Sequence, residues 1–180
     1  LRYDQWKMIS SLVSKDFDVL DDDIYYSILP TSTQYSRNSL FSGLFPLEIQ
    51  KKFPEYWRND SDEGGKNMYE ELFLRKLVDE KFHHDIKLSY NKITNIDFGR
   101  KFVNQINNLS NNDLNVIVYN FVDMLSHART DMKVIKELAE DDYAYRSLTL
   151  SWFEHSPLRE MLKKISEQGA KLIITTDHGT

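Results

Sequence analysis

The segment Ile24-Tyr25-Tyr26-Ser27-Ile28-Leu29-Pro30-Thr31-Ser32-Thr33-Gln34-Tyr35-Ser36-Arg37-Asn38-Ser39-Leu40-Phe41-Ser42-Gly43 decides how the rest of the chain is read. Its first six residues have the β-branched and aromatic content and the length of a buried strand. Pro30 ends that strand, because it cannot donate to a ladder, and the hydroxyl residues after it suit a turn and a helix N-cap. A strand, a hydroxyl-rich turn and a helix in succession set hydroxyls beside the outward-pointing N–H groups of a helix start. Such a turn can serve as an anion site, although on its own it ordinarily is just a cap.

Working outward, Leu1 to Lys15 carries Trp6, Ile9, Leu12 and Val13 at helical spacing and predicts a first helix. A short helix is expected over Pro46–Phe53, with proline in its first turn, then a polar surface loop or lid from Asn59 to Lys66. Met68 to Val78 reads as a helix, His83 to Tyr90 contains an alternating strand pattern, and Asp97 caps a helix from Phe98 to about Asn107. Leu114 to Val122 is a nearly continuous apolar run of the kind found inside a parallel sheet. Helices follow over Tyr143–Phe153 and from Ser156-Pro157 to Glu167, with Gly169 as C-cap, and Lys171–Thr176 is the last strand. The class is α/β, a largely parallel sheet with flanking helices, in which Ile24–Leu29, Asn115–Asn120 and Lys171–Thr176 are expected to be parallel neighbours.

With 180 residues, 41% of them hydrophobic, and a net charge of −5, the chain can bury a full core and reads as one soluble domain or a large part of one. The sequence has neither a bilayer-length apolar run nor a signal peptide, so the expected compartment is the cytoplasm. Without cysteine, any metal must be held by histidine, carboxylate or hydroxyl oxygen. The acidic balance argues against nonspecific binding to duplex nucleic acid, though not against a small phosphorylated substrate. A start at Leu1 and a stop two residues after an Asp-His pair read as a fragment.

Possible ligands follow three of the expected strands: Thr33 the first, Asp123 with His127 the central one, Asp177 with His178 the last. In a parallel sheet those ends lie side by side. Taken singly, Asp123 reads as a helix N-cap and Asp177-His178-Gly179 as a polar turn. Taken together, two histidines and two carboxylates at converging strand ends suit Zn²⁺ or Mn²⁺. His83-His84-Asp85 does not make such a cluster, since adjacent strand side chains point to opposite faces, and His155 beside Ser156 belongs to a helix start. Trp6, Trp57 and Trp152 read as packing residues.

The order Thr33, Ser36-Arg37, Ser39-Leu40-Phe41-Ser42-Gly43 resembles the nucleophile segment of the alkaline phosphatase superfamily, with Thr33 in the nucleophile's place. Asp-x-x-x-His at Asp123 and His127, and Asp-His-Gly at Asp177, His178 and Gly179, are similar to that superfamily's metal motifs. Leu1-Arg2-Tyr3-Asp4-Gln5-Trp6, Pro30 to Asn38 and Asn120 to His127 resemble the PglZ domain, in the version carried by PorX-like response regulators, the type IX secretion regulators. The likeness runs through essentially the whole chain, as part of one PglZ domain truncated at both ends. It implies that Asp123 and His127 bind one metal ion and that Thr33, Asp177 and His178 bind the other. It also implies one further aspartate before Leu1 and one further histidine after the Asp-His-Gly motif. Asp4, inside the first helix, does not substitute for that aspartate. The two sites are therefore expected to be weak or empty in the fragment alone.

What the resemblance implies is a metal-dependent phosphoesterase, a diesterase by likeness to threonine-bearing members, acting on a nucleotide-like phosphoester with a receiver domain in the parent chain. Two Zn²⁺ or Mn²⁺ ions would share the phosphoryl oxygens and Thr33 would attack phosphorus. Arg37 would orient the nucleophile segment or a phosphate oxygen, or form a helix-surface salt bridge. Ten positions separate Thr33 from Gly43, the offset of the superfamily pattern, whereas Thr31 and Ser32 lie too far upstream. The rival expectation is a catalytically silent regulatory module that works through partner binding.

Overall fold

The structure, a computed structural model, describes residues 1–58, 67–122, 125, 137 and 141–179. The expected loop at 59–66 and both members of the Asp123/His127 pair lie outside the described residues. The fold is α/β, with helices flanking a small parallel two-stranded sheet. Two compact units divide the chain: Leu1–Ile24 with Ser89–Ile173, and Tyr25–Leu88 with Ile174–Thr180.

In the first unit, α1 (Tyr3–Val13) turns its Gln5, Ile9 and Val13 inward, at the four-residue spacing that keeps side chains on one helical face. Its start is closed by a bond from the Arg2 backbone N–H to Gln5 Oε1, 3.0 Å long. β1 (Leu88–Ile93) pairs with β2 (Leu114–Tyr119), and between them come α5 (Ile96–Val103) and a 3₁₀ turn at Ile106–Leu109. α6 (Asp142–Glu154) and α7 (Pro157–Glu167) complete the unit. Asn95, Asp141 and Ser156 cap α5, α6 and α7 with side-chain oxygens, relieving N–H groups that have no partner inside the helix.

Ile9, Val13, Phe121, Phe153 and Leu162 form one core cluster and Ile93, Phe102, Val103, Ile106 and Met161 another. Burial of each such side chain stabilises by about 1.5–3 kcal/mol before conformational entropy is counted. Gly99 allows the closest approach in this packing. A Cβ there would stand 2.9 Å from the Tyr119 hydroxyl and 3.3 Å from Pro157 Cβ.

The second unit is built on α2 (Thr33–Ser42), α3 (Pro46–Lys52) and α4 (Glu70–Lys81), with α2 packed against α4. Phe41, Ile49, Phe73, Leu74 and Val78 are its buried apolar residues. The buried face of α2 is otherwise polar, carrying Gln34, Ser36, Asn38 and Ser42. Gly43 ends α2 at φ +66°, a left-handed conformation that only glycine adopts without strain, and donates its N–H to Ser39 O at 2.9 Å.

Two expected strands are absent. Ile24–Leu29 and Lys171–Thr176 have no regular secondary structure, and Tyr26, Leu29 and Ile173 are exposed. A strand interior to a parallel sheet needs ladders on both edges and cover on both faces. The second unit offers Tyr25 and Ser27 two side-chain links instead: Tyr25 Oη to Thr175 Oγ1 at 3.4 Å, and Ser27 Oγ donating to Asp177 O at 2.9 Å. Both links span the same offset of 150 residues, so the two segments run in the same direction without a ladder. The expected triple of parallel neighbours is thus replaced by the β1–β2 pair, to which the central run contributes Leu114–Tyr119. No helix among the described residues is long and apolar enough to cross a membrane.

Candidate active site

Thr33 is the first residue of α2, directly after the N-cap Ser32, whose backbone is extended at φ −110°, ψ 135° and whose side chain makes no cap hydrogen bond. The helix begins there because Pro30 cannot continue a ladder and the Ser32 carbonyl accepts the N–H groups of Tyr35 (3.0 Å) and Ser36 (2.9 Å). Gln34 fixes this turn from inside. Buried at 1% exposure, it donates from Nε2 to Arg58 O at 2.6 Å.

Thr33 Oγ1 lies 2.9 Å from His178 Nε2, across 145 residues of sequence. His178 is held by its own segment: its N–H donates to Asp177 Oδ1 at 3.0 Å and its carbonyl accepts from Thr176 Oγ1 at 2.8 Å. Ser27 Oγ, bonded to the Asp177 carbonyl, also stands 3.4 Å from Ser36 Oγ and so ties that segment to α2. Arg37, one turn beyond Thr33, places Nε 3.4 Å from Asp177 Oδ2 and 3.8 Å from Glu70 Oε2. Of the expected site residues, Thr33, Arg37, Asp177 and His178 therefore converge in the second unit.

Thr33 Oγ1, His178 Nε2 and Asp177 Oδ2 follow one another at 2.9 and 3.9 Å. Ligands of a tetrahedral Zn²⁺, each about 2.0–2.2 Å from the ion, stand roughly 3.4 Å apart, between those two steps. Asp177 Oδ2 is buried and accepts no hydrogen bond. A hydroxyl, an imidazole and such a carboxylate oxygen fit part of a Zn²⁺ or Mn²⁺ shell. Among the described residues no group of three or more His, Asp or Glu side chains is arranged to hold a metal ion.

Sequence reading missed two contributors. Ser27 announces itself as the polar break in the apolar run 24–29, a signal that was there to use. Glu70 has no such mark. An acid in a helix's first turn ordinarily complements the helix dipole at the surface, yet Glu70 is 2% exposed. Beside the site, a cleft of about 340 Å³ runs along α2, lined among others by Tyr25, Ser39, Leu40, Phe45 and Asp177.

Residues 1–180 are matched by the family model described as the BREX system PglZ alkaline phosphatase-like domain. The class is thus that of alkaline phosphatase-like domains. Within it, the chain belongs to the PglZ family. No curated protein matches the sequence.

Proposed function

We propose that the domain hydrolyses a phosphoester, in the first instance a diester, with Thr33 as nucleophile and Zn²⁺ or Mn²⁺ as cofactor. The observation that carries this reading is the 2.9 Å contact of Thr33 Oγ1 with His178 Nε2 at the start of α2. It occurs in a chain of an alkaline phosphatase-like family.

Thr33, Asp177 and His178 would hold one ion, and Asp123 with His127 a second. Bound there, divalent ions supply a lowered pKa for a hydroxyl and neutralisation of phosphoryl charge. The chain's own part is positional. The first turn of α2 points N–H groups outward where a phosphate oxygen can accept them. Thr33 Oγ is set at that turn, within hydrogen-bond distance of His178 Nε2. Attack forms the Thr33 Oγ–P bond and breaks the bond from phosphorus to the leaving oxygen, which takes up a proton. Water then cleaves the threonine ester and returns the hydroxyl. Arg37 keeps Asp177 oriented from behind.

The apolar and aromatic lining of the adjacent cleft favours a substrate with an organic substituent, such as a nucleotide-like diester, over bare phosphate. A response-regulator setting, with a receiver domain in the parent chain, is supported by the likeness of the 1–6, 30–38 and 120–127 segments.

The test uses the intact protein loaded with Zn²⁺ or Mn²⁺ and assayed on chromogenic mono- and diesters. Thr33→Ala is expected to lower turnover by several orders of magnitude with the fold retained, and Thr31→Ala to keep most of it. Equal turnover of wild type and Thr33→Ala would remove Thr33 as nucleophile, and no turnover at all would favour the silent regulatory module.

A further inference from the structure

Glu70 is buried at 2% exposure in the first turn of α4, and a carboxylate removed from water costs several kcal/mol unless a cation meets it. The cation it faces is Arg37, whose side chain is itself 13% exposed. The same Nε faces Asp177, so one guanidinium stands between two carboxylates no more than about 7 Å apart. One guanidinium charge thus faces two carboxylates. With both acids ionised the trio carries one negative charge, next to the Thr33 and His178 side chains.

We infer that Glu70 is a positioning residue that sets the charge of this site. Its carboxylate holds Arg37 against Asp177 and keeps the guanidinium from acting as a free anion receptor, so that the site is biased toward a divalent cation first and phosphate second. The inference rests on the phosphoesterase reading but makes its own prediction. Removing the Glu70 charge should move anion and cation affinities in opposite directions. A residue needed merely for packing would lower both.

The experiment compares wild type and Glu70→Gln in the intact protein by calorimetry, titrating inorganic phosphate into metal-free protein and, separately, Zn²⁺ alone. Glu70→Gln is expected to bind phosphate about three- to tenfold tighter and Zn²⁺ about three- to tenfold weaker, the effect on a divalent ion of one elementary charge roughly 7 Å away at a dielectric close to that of water. Glu70→Asp, which keeps the charge, should restore both. In turnover assays on a diester, kcat and KM should fall together in Glu70→Gln. Unchanged affinities, or losses in both, would overturn the inference. Should Glu70→Gln fail to fold, Arg37→Gln reads the same contact from the other side: phosphate binding should weaken, and an unchanged value overturns the inference. Opposed affinity shifts without any turnover would leave the Glu70 assignment standing and remove the hydrolase reading. Turnover that depends on Thr33 with no Glu70 effect would do the reverse.

Discussion

Arg37 serves two acids with one guanidinium, and that makes it the side chain whose loss the second unit should feel most. Arg37→Ala removes the cation that faces both Glu70 and Asp177 in a buried setting, so a loss of about 3–5 kcal/mol is expected in urea denaturation. Arg37→Lys should recover part of it, because an ammonium is a single point of charge and cannot reproduce a planar fork. A second expectation concerns Tyr119. Partial burial raises its pKa above the usual 10.0. A raised folded-state value means that this contribution to stability is complete below pH 10 and is lost as pH climbs through the folded-state pKa. Melting temperature followed from pH 9 to 11 should fall less steeply in Tyr119→Phe than in wild type. At this scale the sequence was informative where a residue's place follows from a turn: Thr33 after Pro30, Asp177-His178 after an apolar run. Glu70 was illegible because its burial is created by the packing of α4 on α2, which no local pattern encodes.

Among the elements, those that end in caps are the most exposed to single changes. Ser156→Ala and Asp141→Ala each remove an oxygen that accepts a first-turn N–H, and each should cost about 1 kcal/mol by denaturant midpoint. Gly43→Ala should cost more than Gly169→Ala, although both sit at positive φ. An added Cβ at Gly43 would meet Leu77 Cδ1 at 3.2 Å, whereas at Gly169 it meets nothing within 4 Å. The helices were readable because periodicity and caps are written locally. The expected helix over Pro46–Phe53 is found at Pro46–Lys52, and the helix after Ser156-Pro157 ends at Glu167 as expected. The cap of α5 shifts by two residues, from Asp97 to Asn95, since both residue types suit the position and the backbone turns earlier. Strands were less readable, because an apolar run states what a segment would bury and not whether a neighbour is there to pair with it. Leu114–Tyr119 has β1 beside it, whereas 24–29 and 171–176 have no ladder.

Taken as a whole, the molecule leaves a conspicuous amount of apolar surface in those two segments: Tyr26, Leu29 and Ile173 are each more than four-fifths exposed. Such side chains attract hydrophobic dyes and partners. Native protein should therefore enhance the fluorescence of an anilinonaphthalene sulfonate dye, and Tyr26→Lys with Leu29→Lys should reduce the signal without lowering helical circular dichroism. Amide exchange should run in the same sense, fast over 25–29 and slow in β1 and β2.

The second unit is assembled from two stretches of chain, and its hydroxyl and imidazole are 145 residues apart. During translation at roughly 5–20 residues per second, His178 is made about 7–29 s after Thr33. Throughout that interval Thr33 lacks the imidazole that stands 2.9 Å from its hydroxyl in the folded unit. The second unit therefore closes in two steps, its helices first and its contact with the Asp177-His178 segment only after the far end of the chain has been made.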